Sequence, residues 1–311
     1  MDEALKSTQP VGGGLRSVAL GGGRSRKLAT TALPYWLIAP AVIVVAAVSF
    51  VPIGDAVYLS LRNGMYASSG SYIGLGNFSQ ILTSSAGLSE IGHTAVYVIV
   101  SLVVALPLSV GLALLLNRPI PGLSIFRTLI LLPWVISQTV AGLLWQWLLN
   151  PQYSPLHLEA FGRSGLDPLS NPTLAMVSLI VVNVWLSYPL ATILSLAALQ
   201  TVPETLLEAA AMDGAGPVKR FARVTLPLMR PTLTVAAILL TLLYFNMVSL
   251  VLVLTNGGPL GGTMVLSLAA YQQSFVFFKL GLGAAYSILL FVFNIIFGSA
   301  YIRTMRSEMS K

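Results

Sequence analysis

A chain of 311 residues with 56% hydrophobic residues, 9% charged residues and a mean hydropathy of +0.83 lies outside the range of soluble domains, where about a quarter of residues are charged. Its net charge of +7 comes from 17 Lys and Arg against 10 Asp and Glu, and the lack of cysteine excludes a disulfide framework, a thiolate nucleophile and a Cys-based metal site. This is the composition of an integral membrane protein.

Residues 1–30 carry Gly12-Gly13-Gly14 and Gly21-Gly22-Gly23 among Ser, Arg and Lys, too polar and flexible to pack, and are expected to form a disordered basic tail. Six apolar runs follow, near 33–54, 91–116, 126–149, 172–199, 232–255 and 281–302. Each can cross a hydrocarbon core of roughly 30 Å, which takes about 20 helical residues. Lipid offers the backbone no hydrogen-bond partners, and the runs lack the alternation of barrel strands, so the fold class is all-α with six transmembrane helices. Pro40, Pro107, Pro133 and Pro189 fall inside runs as expected kinks. The first run is too long and too far from the start for the apolar region of a cleaved signal peptide, and is read as a retained anchor. Residues 31–90 then comprise the first span and an external loop, 91–302 the core and 303–311 a second tail.

Among the 17 Lys and Arg, only Arg62, Arg163 and Lys279 fall on the side opposite the two tails. That asymmetry places both termini in the cytoplasm and the chain in the cytoplasmic membrane. The net charge is thereby explained as topology and attraction to anionic lipid, with no soluble basic face for nucleic acid.

Between the fourth and fifth runs lies a polar island. Pro203 stands at a helix start, Glu204 to Met212 is rich in strong helix formers, and Asp213-Gly214 supplies a terminating turn. Pro217 suits the first turn of a second short helix, in which Val218, Phe221, Val224 and Thr225 recur at helical spacing while Lys219, Arg220 and Arg223 fill the other positions. Leu226-Pro227 and Pro231 are expected to stop this helix before the fifth span. An amphipathic loop resting on headgroups is the competing reading of the pattern.

The segment EAAAMDGAG…RFARVTLPLMRP resembles the EAA loop of the permeases of ATP-binding-cassette importers. The resemblance implies the type I importer permease fold and a cytoplasmic coupling helix that docks on an ATPase subunit. Glu208, Ala209, Ala210, Asp213 and Gly214 match the core of that loop, Leu226-Pro227 match its end, and Phe221 falls within it. Further similarity to carbohydrate-type members runs from Pro34 to Tyr301. It is carried by Gly74-Leu75-Gly76-Asn77-Phe78, Phe126-Arg127-Thr128, Leu132-Pro133, Trp145 and Leu254-Thr255-Asn256-Gly257-Gly258-Pro259, then Thr263, Tyr271, Phe275 and Gly281 to Ala285. The large folded insertion and the extra N-terminal span of some relatives are not expected here. The resemblance implies sugar or polyol import by alternating access, a second homologous permease, two ATP-binding subunits that use ATP and Mg, and an extracytoplasmic substrate-binding protein.

Moving a hydrated solute through lipid needs a polar cavity near the midplane. Gln138 lies in the third run, Asn183, Ser187 and Tyr188 in the fourth, Tyr244, Asn246 and Ser249 in the fifth and Asn294 in the sixth. In a continuous helix Asn246 and Ser249 share a face. The resemblance adds Leu190 and Phe245, with Ser187 and Asn246, as substrate-contacting positions. The competing account is hydrogen bonding between helices. No Asp, Glu, Lys or Arg is expected well inside a run, which argues against an ion- or proton-driven carrier and favours a neutral substrate over a phosphate-bearing one. A glycerol-phosphate permease and a stand-alone channel or carrier are the alternatives. No GxxxxGK[ST] loop is present, so the chain is read as non-catalytic with no cofactor of its own. His93 and His157 lack partners at metal-ligand spacing and are read as structural, with no metal site. Trp36, Trp134, Trp145, Trp147, Tyr35 and Tyr97 are read as interfacial anchors or packing residues.

Overall fold

The computed structural model describes residues 23–66, 68, 70–118, 123–152 and 167–309, so His157 and Arg163 lie outside the described residues. Helix α1 (Gly23–Ser60) starts inside the stretch expected as a tail, with Gly23 to Thr30 already helical. The chain divides into two units, one ending at Gly54 and the other beginning at Asp55. The first unit holds most of α1, whose apolar stretch from Leu37 is long enough to cross a membrane.

The second unit begins with the last turn of α1, followed by a loop, the short helix α2 (Gly76–Thr83) and the long helix α3 (Ser85–Leu116). Asn77 is buried and its Nδ2 donates to the carbonyls of Ser60 at 2.8 Å and Arg62 at 2.9 Å, holding the end of α1 to the loop. A side chain on Gly281 would collide with the Arg62 carbonyl, so glycine is required where the sixth span begins. These contacts explain why Asn77 and Gly281 stand in the segments singled out from sequence.

Helix α6 (Pro172–Gln200) is the axis of the core. Asn171 caps it by accepting from the amides of Thr173 and Leu174 at 2.9 and 3.1 Å, with Pro172 in the first turn. It packs against α3, α4 (Leu123–Val135) and α9 (Leu226–Phe245) and buries about half of its residues, leaving Val177, Val181 and Ile193 exposed. The α3–α6 contact is closed by small residues, Ala105, Ser109 and Ala113 against Ala191, Ser195 and Ala198, with the Ser109 and Ser195 hydroxyls 3.3 Å apart. Small side chains let two backbones approach where lipid provides no hydrophobic drive.

Three apolar runs depart from the sequence expectation. The third is not one straight helix: α4 and α5 (Gln138–Leu148) meet at an angle of 96°, and the pair makes six spans when counted as one. Pro133 removes a backbone donor from α4, while Ser137, in extended conformation, accepts from the Val140 amide at 3.3 Å and starts a new helix. The fifth run also breaks. Helix α9 ends at Phe245, Asn246 has φ −101° and ψ 8°, and α10 (Ser249–Leu254) starts afresh, so Asn246 and Ser249 do not share one helical face. Helix α3 starts earlier than expected, which puts Glu90 inside it, where its Oε2 accepts from the Tyr286 hydroxyl at 2.6 Å.

The expected stop at Leu226-Pro227 is overturned. After α7 (Glu204–Met212), helix α8 (Pro217–Arg220) passes through a π-helical turn (Phe221–Thr225) directly into α9, forming one 29-residue helix from Pro217 to Phe245. The Leu226 amide bonds the Phe221 carbonyl five residues back, and this wider register runs directly into Pro227, which has no amide to give.

The chain closes with α11 (Leu266–Tyr271), a second π-helical turn (Gln272–Val276) and α12 (Leu280–Met309). Before α11, the fully buried Thr263 hydroxyl lies 2.7 Å from both Thr255 Oγ1 and the Gly258 carbonyl, fixing the Gly257-Gly258-Pro259 turn.

Candidate functional site

A cavity of about 300 Å³ opens at the α4–α5 bend, between that corner, α6 and α9. Trp134, Val135, Ile136, Ser137 and Gln138 line it from the bend, Leu186, Ser187 and Leu190 from α6, and Leu243 and Met247 from α9 and the break after it. The bend creates the site, because a straight third helix would bring no run of five consecutive residues to one wall. The polar groups are two hydroxyls and one amide, with an indole beside them and no charged side chain in the lining. That chemistry can replace water around a neutral polar solute without charge pairing.

Ser187 is the organising residue of the wall. Its hydroxyl donates to the Asn183 carbonyl at 2.8 Å and lies 2.6 Å from the Tyr244 hydroxyl, so α6 and α9 are joined just behind the cavity surface. Tyr244 is 1% exposed and supports Ser187 from the core. Tyr97 packs on it with ring centroids 6.3 Å apart and donates to Met247 Sδ at 3.2 Å. Asn183 is wholly buried and neither polar atom of its amide has a hydrogen-bond partner.

The expected pathway residues therefore separate. Gln138, Ser187 and Leu190 meet at one cavity, while Tyr188, half-buried, does not line it. Phe245 points to the other side of α9, against Phe293 at 6.3 Å and Phe297 at 5.3 Å, in a small apolar hollow shared with Thr94 and Leu266. Asn246 is exposed, its Nδ2 donating to the Leu242 carbonyl at 2.7 Å, and Ser249 is exposed at the start of α10. Trp134, Val135, Ile136, Ser137, Leu186, Leu243 and Met247 complete the cavity; none was assigned to the pathway from sequence, Trp134 having been read as an anchor or packing residue. The one available signal was Ser137-Gln138-Thr139, a polar cluster in the middle of a largely apolar run.

The 204–225 segment is built differently. Helix α7 buries no residue, and Glu204 stands in its first turn, where a carboxylate complements the helix dipole. It ends in a Schellman motif: the Ala215 amide bonds the Ala210 carbonyl at 3.0 Å and the Gly214 amide bonds Ala211 at 3.0 Å, with Gly214 at φ +74°. Glu208, Ala209, Asp213 and Gly214 are exposed and Ala210 is half-exposed. Phe221, Leu226 and Pro227 are half-buried where the segment enters the bundle. Val218, which recurs at helical spacing with Phe221, is 80% exposed, and Met212 is 89% exposed. Two large apolar side chains are thus displayed outward in a charged island.

The profile of the binding-protein-dependent transport system inner membrane component matches residues 81–302. This chain belongs to that family. Among its relatives, the sn-glycerol-3-phosphate transport system permease protein UgpA of Agrobacterium fabrum is 32% identical over 264 residues, covering 84% of this chain and 90% of the relative. The trehalose/maltose transport system permease protein MalF of Thermococcus litoralis is 32% identical over 277 residues, covering 88% and 94%. A solved chain of a bacterial ABC transporter involved in the import of the acidic polysaccharide alginate superposes with a TM-score of 0.78 at 20% identity, covering 91% of this chain and 98% of that one. The all-α, type I importer permease fold expected from sequence is thus the fold of this inner membrane component.

Proposed function

We propose that this inner membrane component is the translocating subunit of an ATP-driven importer, carrying a neutral sugar or related polyol inward by alternating access. The observation that carries the reading is the cavity of hydroxyl, amide and indole groups at the α4–α5 bend, which holds no charge for a phosphate or carboxylate to pair with. The relatives named for trehalose/maltose and for sn-glycerol-3-phosphate bracket the substrate class, and the uncharged lining favours the first. Gln138, Ser187 and Leu190 serve as substrate-facing residues in this reading.

The exposed Glu208–Gly214 surface, with Met212 and Val218, is the docking element for an ATP-binding subunit that uses ATP and Mg, the chain itself being non-catalytic. Both termini lie in the cytoplasm with this element, as the Lys and Arg asymmetry favours. A second homologous permease, two ATPases and an extracytoplasmic binding protein complete the assembly. An alginate ABC transporter solved in complex with a pentasaccharide-bound periplasmic protein, whose chain superposes on this one with a TM-score of 0.77, is in keeping with that last partner. The continuity of α8, the π-helical turn and α9 offers a rigid route by which movement at the docking element rotates the cavity wall. ATP provides the bias through its preference for the closed ATPase dimer.

The test uses the absence of native cysteine. Met212→Cys and Val218→Cys each give a unique thiol, and either should cross-link to an ATPase subunit co-expressed with the chain. Reconstituted with all partners, the chain should accumulate sugar only with ATP; accumulation by the chain alone sinks the reading.

A further inference from the structure

A second cavity, of about 260 Å³, lies at the opposite end of α6 from its Asn171 cap, lined by Leu114, Asn117, Arg118, Leu199, Leu207, Pro217, Arg220, Phe221 and Thr225. Its chemistry is the reverse of the first: two guanidinium groups and an amide, with no carboxylate in the lining. Arg220 is half-buried and its Nε is fully covered without a hydrogen-bond partner. A covered guanidinium N–H left unpaired is destabilising, and a rotation of the Arg220 side chain that turns Nε to an acceptor in the cavity relieves it. A third guanidinium, Arg127, stands beside this end of α3 and donates to the Leu116 carbonyl at 2.7 Å.

We infer that this cavity binds the phosphate of an anionic ligand, gripped side-on through Nε and one Nη of Arg220 and from the facing wall by Arg118 and Asn117. Bidentate guanidinium–phosphate contact satisfies the orphaned donor, and the uncharged remainder of the wall offers no competing partner. Position favours a phospholipid headgroup over a soluble phosphate. The apolar run of α3 ends at Leu116, immediately before Asn117 and Arg118, and Leu114, which lines the cavity, is also exposed beside exposed Leu115. An acyl chain along those leucines brings its phosphate to the depth where basic pockets between membrane helices hold acidic headgroups. The ligand would bridge the end of α3 to the start of the Pro217–Phe245 helix, bracing the foot of the docking element, independently of which solute is carried.

The purified chain in a zwitterionic detergent is titrated with phosphatidylglycerol in mixed micelles and, separately, with inorganic phosphate, and adducts are read by native mass spectrometry. Phosphatidylglycerol is expected to bind with one tight site, weakened about tenfold or more in both Arg220→Gln and Arg118→Gln, the loss of one bidentate contact, and unchanged in Lys219→Gln, which removes the same charge one residue away. Displacement of the lipid by inorganic phosphate assigns the site to soluble phosphates, and persistence assigns it to lipid. Equal lipid binding by all three variants and the parent overturns the proposal, as does an equal loss in Lys219→Gln. Loss of ATPase association in the Arg variants with the lipid adduct intact also overturns it, giving the cavity to a protein carboxylate. Arg118 is exposed, so Arg118→Gln keeps the test valid if Arg220→Gln unfolds.

Discussion

The cavity at the α4–α5 bend and the exposed 204–225 segment are held by different forces. Around the cavity, Ser187 and Tyr244 are 5% and 1% exposed and are fixed by contacts from distant parts of the chain. Helix α7 has no fully buried residue, only Leu207 packing in part against Leu199 and its neighbours, and its end is shaped by its own turn, through the Ala215 and Gly214 amides and the positive φ of Gly214. A solute site must hold its groups in register against thermal motion, so packing fixes it. A surface that stays open to a partner has few buried side chains to fix it, so local hydrogen bonds do most of the shaping. Substitutions in the buried Ser187–Tyr244 pair of the cavity wall should therefore alter stability and affinity together, and substitutions in the exposed segment should alter coupling with little change in stability.

The largest effect is expected at the cavity wall. Ser187→Ala leaves the buried Tyr244 hydroxyl without its 2.6 Å partner, at a cost of about 1–3 kcal/mol, read as a lower thermal midpoint in detergent. Adding Tyr244→Phe should restore most of that loss, because removing both partners leaves no orphan. An unchanged midpoint for Ser187→Ala would sever cavity from core. Next is Gly214→Val. A side chain at this position meets nothing within 4 Å, so the cost lies in the backbone at φ +74°, about 1–2 kcal/mol or roughly tenfold in the intact turn. Substrate-stimulated ATP hydrolysis by the assembled importer should fall by that factor while the thermal midpoint holds; a drop in midpoint matching that of Ser187→Ala would erase the contrast between the two regions.

Gln138→Leu removes one neutral hydrogen-bonding group from the cavity, and uptake assays should show affinity reduced by about 0.5–1.5 kcal/mol with stability kept. Unchanged affinity would take Gln138 out of the pathway. The smallest effect carries the opposite sign. Asn183 is wholly buried with its amide unpaired, so Asn183→Leu should be neutral or stabilising by up to about 1 kcal/mol. Destabilisation comparable to Ser187→Ala would mean that the amide has a partner in the folded protein.

Legibility from sequence followed the same division. The exposed segment was readable nearly residue by residue, since Asp213-Gly214 and Pro217 act on their own neighbours through backbone geometry. The exception was Leu226-Pro227, read as a stop where the chain runs on as helix. At the cavity, the polar inventory was legible but its sorting was not. Ser187 and Gln138 face one space while Asn183 and Asn246 do not, although all four are polar residues in apolar runs. Which side a residue faces depends on where its helix breaks and what packs behind it, and neither is written in its neighbours.

By itself the sequence determined the class of molecule: six apolar runs, an all-α fold imposed by the lack of hydrogen-bond partners in lipid, a biased distribution of Lys and Arg, and a polar island ending in a glycine turn. These are local properties, set by transfer free energy and backbone geometry over a few residues. Only the tertiary structure decided that the third run bends by 96°, that the fifth breaks at Asn246 yet starts unbroken from Pro217, and that Tyr244 lies behind Ser187 rather than in the cavity. Pro133 and Pro189 both lie within helices, and a chain break follows only the first, close by at Ile136-Ser137. The physical reason is that Ser137 caps a new helix after the first proline, whereas Pro189 is buried in α6, whose packing on α3, α4 and α9 keeps it one continuous helix.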